Sequence, residues 1–226
     1  MAYTEPMSRS QPDATPLQAR KQDFVRSAIW DAAIGLFAER GFDETTIDEI
    51  ARAAGVSTRT FIRYFASKAD LMGQGMITYR TLLGDAVRQA PDALTPMQVL
   101  RHTVHKVAAD AAAQPRTRQI VDIASASPAA REAQLARRAE VENALADSFA
   151  IRSGIEADDD VSGRLLAALT LAAVDVTFRA WSKTDGADIG AIAEDVLDTL
   201  TGLVAERRVP ARKRQQRVRR GLPKRD

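Results

Sequence analysis

The chain of 226 residues has no cysteine, so disulfides, thiolate nucleophiles and cysteine-ligated metals are excluded. Aromatic residues make up only 5% of it. With alanine and arginine abundant, that composition suits helices better than strands. No uninterrupted apolar run approaches the roughly 20 residues of a membrane span. The opening MAYTEPMSRSQPDATPLQAR holds no apolar stretch of signal-peptide type. The expectation is a soluble, cytoplasmic protein with no membrane partner. Nucleophile elbows, phosphate loops and zinc-type His/Cys sets are also missing, so no enzyme and no cofactor are expected.

What the chain does have is apolar content of 45%, enough for a sizeable core and against global disorder. Its charge is unevenly placed. Residues 207–226 carry ten Lys/Arg and one acid, which leaves 22 basic and 29 acidic residues over 1–206. The basicity belongs to the tail, and any nucleic-acid contact in the body must come from a local surface.

Residues 1–19, with Pro6, Pro12 and Pro16 among small polar residues, read as a flexible arm. From Arg20 to Arg40, Val25, Ile29, Ala33, Leu36 and Phe37 recur at helical spacing, and Gly41 is a natural left-handed stop. Thr46 and Glu49 form a capping box that starts a second helix, with Ile47, Ile50, Ala51 and Ala54 as its apolar stripe. AGVSTRTFIRYFASK (54–68) then supplies a glycine turn at Gly55, a helix cap at Ser57 and a short helix anchored by Phe61 and Phe65. Helix, glycine turn and second short helix make a helix-turn-helix over residues 20–70. The second helix of such a unit enters the major groove of double-stranded DNA. Thr58, Arg59 and Thr60 in its first turn are placed for base edges, Arg59 with two parallel donors for guanine. Arg63 and Tyr64, and Lys68 and Thr46 at helix starts, are placed for phosphates, and Ser57 at the start of the second helix is counted with these DNA-contact candidates. A short helix carrying arginine is ordinary in any helical protein; here several signals agree in order and spacing.

Residues 21–70, above all LFAERGFDETTIDEIARAAGVSTRTFIRYFASKADL, resemble the DNA-binding domain of the TetR family of bacterial transcriptional regulators. The resemblance rests on Phe37, Gly41 and Phe42, on Thr45 and Thr46, on Ala-Gly-Val-Ser at 54–57, and on Tyr64, Phe65 and Lys68. Asp70 stands where glutamate is commoner in the family and serves equally as an acid in a first helical turn.

Residues 71–206 read as helical throughout, with helices near 69–89, 97–112, 116–125, 129–151, 159–182 and 188–206. The expected fold is all-α: an N-terminal three-helix bundle and a C-terminal domain of six helices. The last pair carries outward apolar stripes at Leu165, Leu169, Ala172 and Val176, and at Ile192, Val196, Leu200 and Leu203. These suit either a monomeric core or a four-helix seam with a twin. The resemblance implies the seam, a homodimer and a near-palindromic operator.

The resemblance also implies an effector pocket among the middle helices. His102, His105, Arg131, Arg138, Phe149, Asp175, Phe178 and Trp181 are the candidate lining residues. His102 and His105 are three apart with no third ligand nearby, so no metal is expected. Residues 127–150 and 164–181 further resemble a subgroup that binds acyl-CoA-like ligands, which implies an apolar tunnel with Arg131, Arg137 or Arg138 near an anionic headgroup. The leading reading is a repressor released by a small apolar or acyl-CoA-like effector; the competing one is a regulator or architectural protein without an effector. The tail at 207–226 reads as disordered, either a solubilising extension or a non-specific DNA arm.

Overall fold

The computed structural model describes residues 16–154 and 161–205. The arm read at 1–19 lies outside these up to residue 15, and the basic tail lies outside them entirely. Ten helices and no strand occur among the described residues: α1 (Pro16–Arg40), α2 (Ile47–Ala53), α3 (Thr58–Tyr64), α4 (Lys68–Arg88), α5 (Pro96–Ala113), α6 (Pro115–Ala126), α7 (Pro128–Leu135), α8 (Arg138–Ser153), α9 (Val161–Ser182) and α10 (Ile189–Ala205). α1 begins four residues before the expected start, on Pro16, whose fixed φ and missing N–H suit a first helical turn.

Two apolar cores organise the chain. The first joins Ile29, Ala33, Ile34 and Phe37 of α1 to Ile50, Ala51, Phe61 and Phe65, and reaches Leu71 and Met72 of α4. Phe37 and Phe42 meet with ring centroids 4.9 Å apart, and Phe61 and Phe65 at 5.9 Å. Truncating a phenylalanine so enclosed costs about 3–5 kcal/mol. The second core joins Leu83 and Val87 of α4 to Val99, Leu100 and Val104 of α5, Leu145 and Phe149 of α8, and Ala167, Leu171 and Val174 of α9, with Ala193 and Leu197 of α10. α4 belongs to both and is the rod between them.

The expected helix over 129–151 is two helices, so seven rather than six follow the first three. No proline or glycine marks the break. The Arg137 N–H donates to the Gln134 carbonyl at 3.1 Å in a tightened turn, and a separate helix begins at Arg138. α7 thereby places Ala130 in the first core while α8 places Val141, Leu145 and Phe149 in the second. One straight helix could not serve both. Arg137 packs over Gly73, where an added Cβ would lie 3.2 Å from its Cγ, and its Nη2 donates to Asp70 Oδ1 at 3.0 Å.

α9 is long and apolar enough to cross a membrane by length and composition alone. Its Ala167, Thr170, Leu171, Val174 and Thr177 are buried, and it packs on α5, α8 and α10, as a core helix does.

Candidate DNA-binding surface and ligand cavity

The first three helices form as their caps dictate. The Thr46 hydroxyl accepts from the Glu49 N–H while the Glu49 carboxylate accepts from the Thr46 N–H at 2.9 Å. The Thr46 N–H, and then the Thr46 hydroxyl, which also donates to Glu49 Oε2 at 2.8 Å, hold the Glu49 carboxyl below its ordinary value of 4.5. Gly55 takes φ +68°, a left-handed turn residue. The Ser57 hydroxyl then accepts from the Thr60 N–H at 3.1 Å and starts α3. Phe61 is buried, while Thr58, Arg59, Ile62 and Arg63 are exposed. One face of α3 is therefore locked to the core and the other presents two guanidinium groups. Arg63 lies over the Tyr64 ring at 5.1 Å, and Arg26 of α1 approaches the same ring at 6.0 Å.

Several expected contact residues are occupied within the fold. The Thr58 hydroxyl donates to Asp48 Oδ1 at 2.6 Å, pinning α3 to α2. Those of Ser57 and Thr60 lie 2.9 Å apart. Lys68 requires a correction. Its ammonium donates to the carbonyls of Phe42, Asp43 and Thr45 at 2.7, 2.9 and 3.0 Å, and it sits 4.8 Å from the Phe42 ring. Three donors meet three carbonyls, which leaves none for a phosphate. Lys68 is a clamp on the α1–α2 connection. Ile62, half-exposed on α3, escaped the sequence reading because an outward apolar residue in a short helix carries no periodic signal.

A cavity of about 900 Å³ opens where α1, α4, α5, α6, α7, α8 and α9 converge. Its apolar wall includes Met76, Leu82, Val107, Leu171, Val174 and Phe178. Of the expected lining residues, Arg131, Arg138, Asp175 and Phe178 border it. Asp175 pairs with Arg179 at 2.6 Å. The side chains of Arg131 and Arg138 make no ion pair among the described residues. Arg137, the third cation considered, is committed to Asp70 and Glu140.

The other four do not line the cavity. Phe149 is a core residue of α8. Trp181 is buried, its Nε1 donating to the Ala187 carbonyl at 3.2 Å, with Arg118 5.0 Å from its ring. His105 Nε2 lies 2.6 Å from Glu194 Oε2, on the α5–α10 face where Arg101 also pairs with Glu194 and Asp198. His102 shares that helix and is partly buried outside the cavity. Helical spacing found apolar faces but could not separate a wall facing empty space from one facing another helix. No cluster of three metal-ligating side chains occurs among the described residues.

Among the lining residues that the sequence did not single out are Trp30 of α1 and Tyr79 of α4. Burial, followed by the charge of Asp175 and against that of Arg138, pushes the Tyr79 hydroxyl well above its ordinary value. It stays protonated and available as a donor at neutral pH.

On the opposite side, α9 and α10 pack together. Leu165, Ala172 and Val176 on α9 and Leu203 on α10 are exposed, while Leu169, Ile192, Val196 and Leu200 are partly buried beside them. The outward side of this pair is a continuous apolar face.

Residues 29–74 match the family of bacterial regulatory proteins of tetR type, and residues 94–205 match the MftR C-terminal domain. The two matches together take in most of the chain, and the chain belongs to the TetR family of transcriptional regulators. TcmR, a helix-turn-helix transcriptional regulator of Streptomyces glaucescens, is 28% identical over 208 residues, covering 86% of this chain and 91% of that protein. Among solved structures, FadR of Bacillus subtilis in complex with stearoyl-CoA matches with a TM-score of 0.56 at 22% identity, covering 77% of this chain and 96% of the other. NalD of Pseudomonas aeruginosa, the secondary repressor of a multidrug efflux pump, matches at 0.59 and 22%, covering 80% and 96%. Both share this fold.

Proposed function

We propose that the protein is a non-enzymatic, cytoplasmic, homodimeric repressor, released from a near-palindromic operator when an amphiphilic acyl-type anion such as an acyl-CoA fills the cavity. The cavity carries this reading. It has room for a ligand of some tens of atoms, an apolar wall, and at its border the guanidinium groups of Arg26, Arg131 and Arg138, none in an ion pair among the described residues, along with the carboxylates of Asp23, Asp85, Asp110 and Asp175. A guanidinium free of an ion pair beside an apolar wall suits an anionic headgroup on a long chain. The relative solved with stearoyl-CoA supports the same ligand chemistry.

On the DNA side, Arg59 and Thr60 are proposed to meet base edges, with the Thr58 methyl and Ile62 against thymine methyls or sugar. Arg63 and Tyr64 are proposed to hold phosphates. The exposed faces of α9 and α10 are proposed to pair with those of a second copy, setting two α3 helices in successive major grooves roughly 34–36 Å apart.

A chain-length series of saturated acyl-CoAs, scored by release of bound duplex, tests the effector. Each added CH₂ should strengthen release about fourfold, at about 0.8 kcal/mol per group, until the cavity is full. A flat response, or release by a planar cation instead, overturns the acyl reading.

A further inference from the structure

Trp30 Nε1 and the Tyr79 hydroxyl are buried and lack a hydrogen-bond partner, the two such side-chain atoms among the described residues. Both residues line the cavity described above. Buried polar groups are satisfied in nearly all native proteins, so two orphans in the same cavity point to an occupant that supplies the missing partners.

Their positions are organised by α4. The Trp30 indole faces Gly75, where an added Cβ would lie 3.8 Å from Cζ2. Tyr79 follows four residues later, one turn along the same face of the helix. On its other side the indole is approached at 5.9 Å by Arg116, itself paired with Asp31 of α1. The Tyr79 ring stacks beside Phe178 with centroids 6.3 Å apart. Both rings are thus held before any ligand arrives, which is what a binding subsite requires.

The two residues differ in allegiance. Tyr79 belongs with the second core. Trp30 packs on the first core, beside Ile29, Ala33 and Phe37, which hold the DNA-reading helices. A ligand atom bonded to Trp30 is attached to the DNA-binding unit itself.

We propose that Trp30 is a direct effector contact: its indole N–H donates to a carbonyl, carboxylate or comparable oxygen of the bound ligand, with the Tyr79 hydroxyl donating one turn further along α4, so that the ligand bridges the two cores. This rests on reading the cavity as the effector site and not on the acyl identity of the effector. It requires an oxygen acceptor on the ligand, near the end that the arginines attract. It also gives a direct route to DNA release, because a ligand alters the operator equilibrium only through contacts that differ between the two arrangements of the DNA-binding unit.

The test uses the full chain and two probes, palmitoyl-CoA and 1-anilinonaphthalene-8-sulfonate. Trp30→Phe keeps a ring and removes the N–H. It should weaken binding of a probe about tenfold, and because the smaller ring also loses packing on the first core its melting temperature is not the readout. Tyr79→Phe removes only an unpartnered hydroxyl and should weaken binding alike without lowering the melting temperature of the free protein. Trp181→Phe leaves Trp30 as the sole indole of the chain's two, and its emission should shift on saturation with a probe that binds. Wild-type affinity for both probes in Trp30→Phe, or Trp30 emission indifferent to saturation, overturns the proposal. Should palmitoyl-CoA fail to bind the wild type while the sulfonate binds and responds to Trp30→Phe, the acyl reading falls and the Trp30 contact stands. Should palmitoyl-CoA bind wild type and Trp30→Phe equally, with Trp30 emission unmoved, the reverse holds. Failure of both probes to bind the wild type overturns both.

Discussion

Lys68 Nζ donates to the Phe42 carbonyl at 2.7 Å, joining the first residue of α4 to the turn that ends α1. With Asp43 and Thr45 completing its shell, the ammonium closes the α1–α2 connection from beneath. Lys68→Met keeps the stem and strands three carbonyls. Hydrogen bonds from a charged donor contribute about 1.5–3 kcal/mol, and chemical denaturation should show a loss of that order. The slope of log affinity against log salt on a duplex should stay as in the wild type. A phosphate contact would instead reduce that slope by about 0.9, and such a reduction would restore the role expected from the sequence.

The contrast between Lys68 and Glu49 shows which parts of the molecule the sequence could carry. The capping box at Thr46 and Glu49, the turn at Gly55, the cap at Ser57 and the Phe61/Phe65 anchor are local: each depends on residues three or four apart, and each is present as expected. Lys68 meets carbonyls 23 to 26 residues earlier, a relation no local pattern encodes. The break at Ala136 and Arg137 is likewise decided at a distance, by two cores pulling α7 and α8 apart and by Asp70 holding Arg137. The cavity was the least legible feature. Phe149 and Phe178 look alike as apolar positions, yet one fills a core and the other faces empty space. Trp30 carried no signal in the sequence, because its significance comes from an N–H left unpaired in the tertiary structure.

The seam proposed for α9 and α10 calls for a variant that spares the protomer. Leu165 is 58% exposed, so Leu165→Glu should leave the single chain folded, with an unchanged helical spectrum. In a dimer the carboxylate would be buried against a twin without a partner, at a cost of several kcal/mol. Sedimentation should then show a monomer, and duplex affinity should collapse although α3 is intact. A wild-type protein that sediments as a monomer contradicts the seam outright.

Glu49 links the DNA-reading unit to pH. Its folded pKa is depressed, chiefly by the backbone N–H of Thr46, then by the Thr46 hydroxyl, against a raising effect of burial, with Arg40 and Arg52 adding lesser lowering contributions. A depressed carboxyl stabilises the fold above the unfolded value and loses that contribution as pH falls through the folded one. Glu49→Gln should therefore melt below the wild type at neutral pH, and the two curves should converge on acidification below the ordinary value of 4.5. A gap in melting temperature that persists unchanged in acid would mean that shape, not charge, makes the cap.

Arg59 and Arg63 are proposed to divide base reading from phosphate holding. Both are exposed on α3, one turn apart, but Arg59 lies in the first turn beside Ser57 and Thr60 while Arg63 leans over the Tyr64 ring at 5.1 Å. A guanidinium in the first turn of a recognition helix can offer two parallel donors to guanine, a contact that discriminates against other bases by about 1–3 kcal/mol. One laid along an aromatic face near the helix end is proposed to meet the backbone of the duplex. Arg59→Ala should therefore weaken a selected duplex far more than a scrambled one. Arg63→Ala should weaken both by a similar factor and make the salt dependence shallower. Isotherms for both variants on both duplexes, at two salt concentrations, decide the assignment. Equal losses on the two duplexes for Arg59→Ala would make it a second phosphate contact, and sequence selection would then have to come from Thr60, Ile62 and the shape of the DNA.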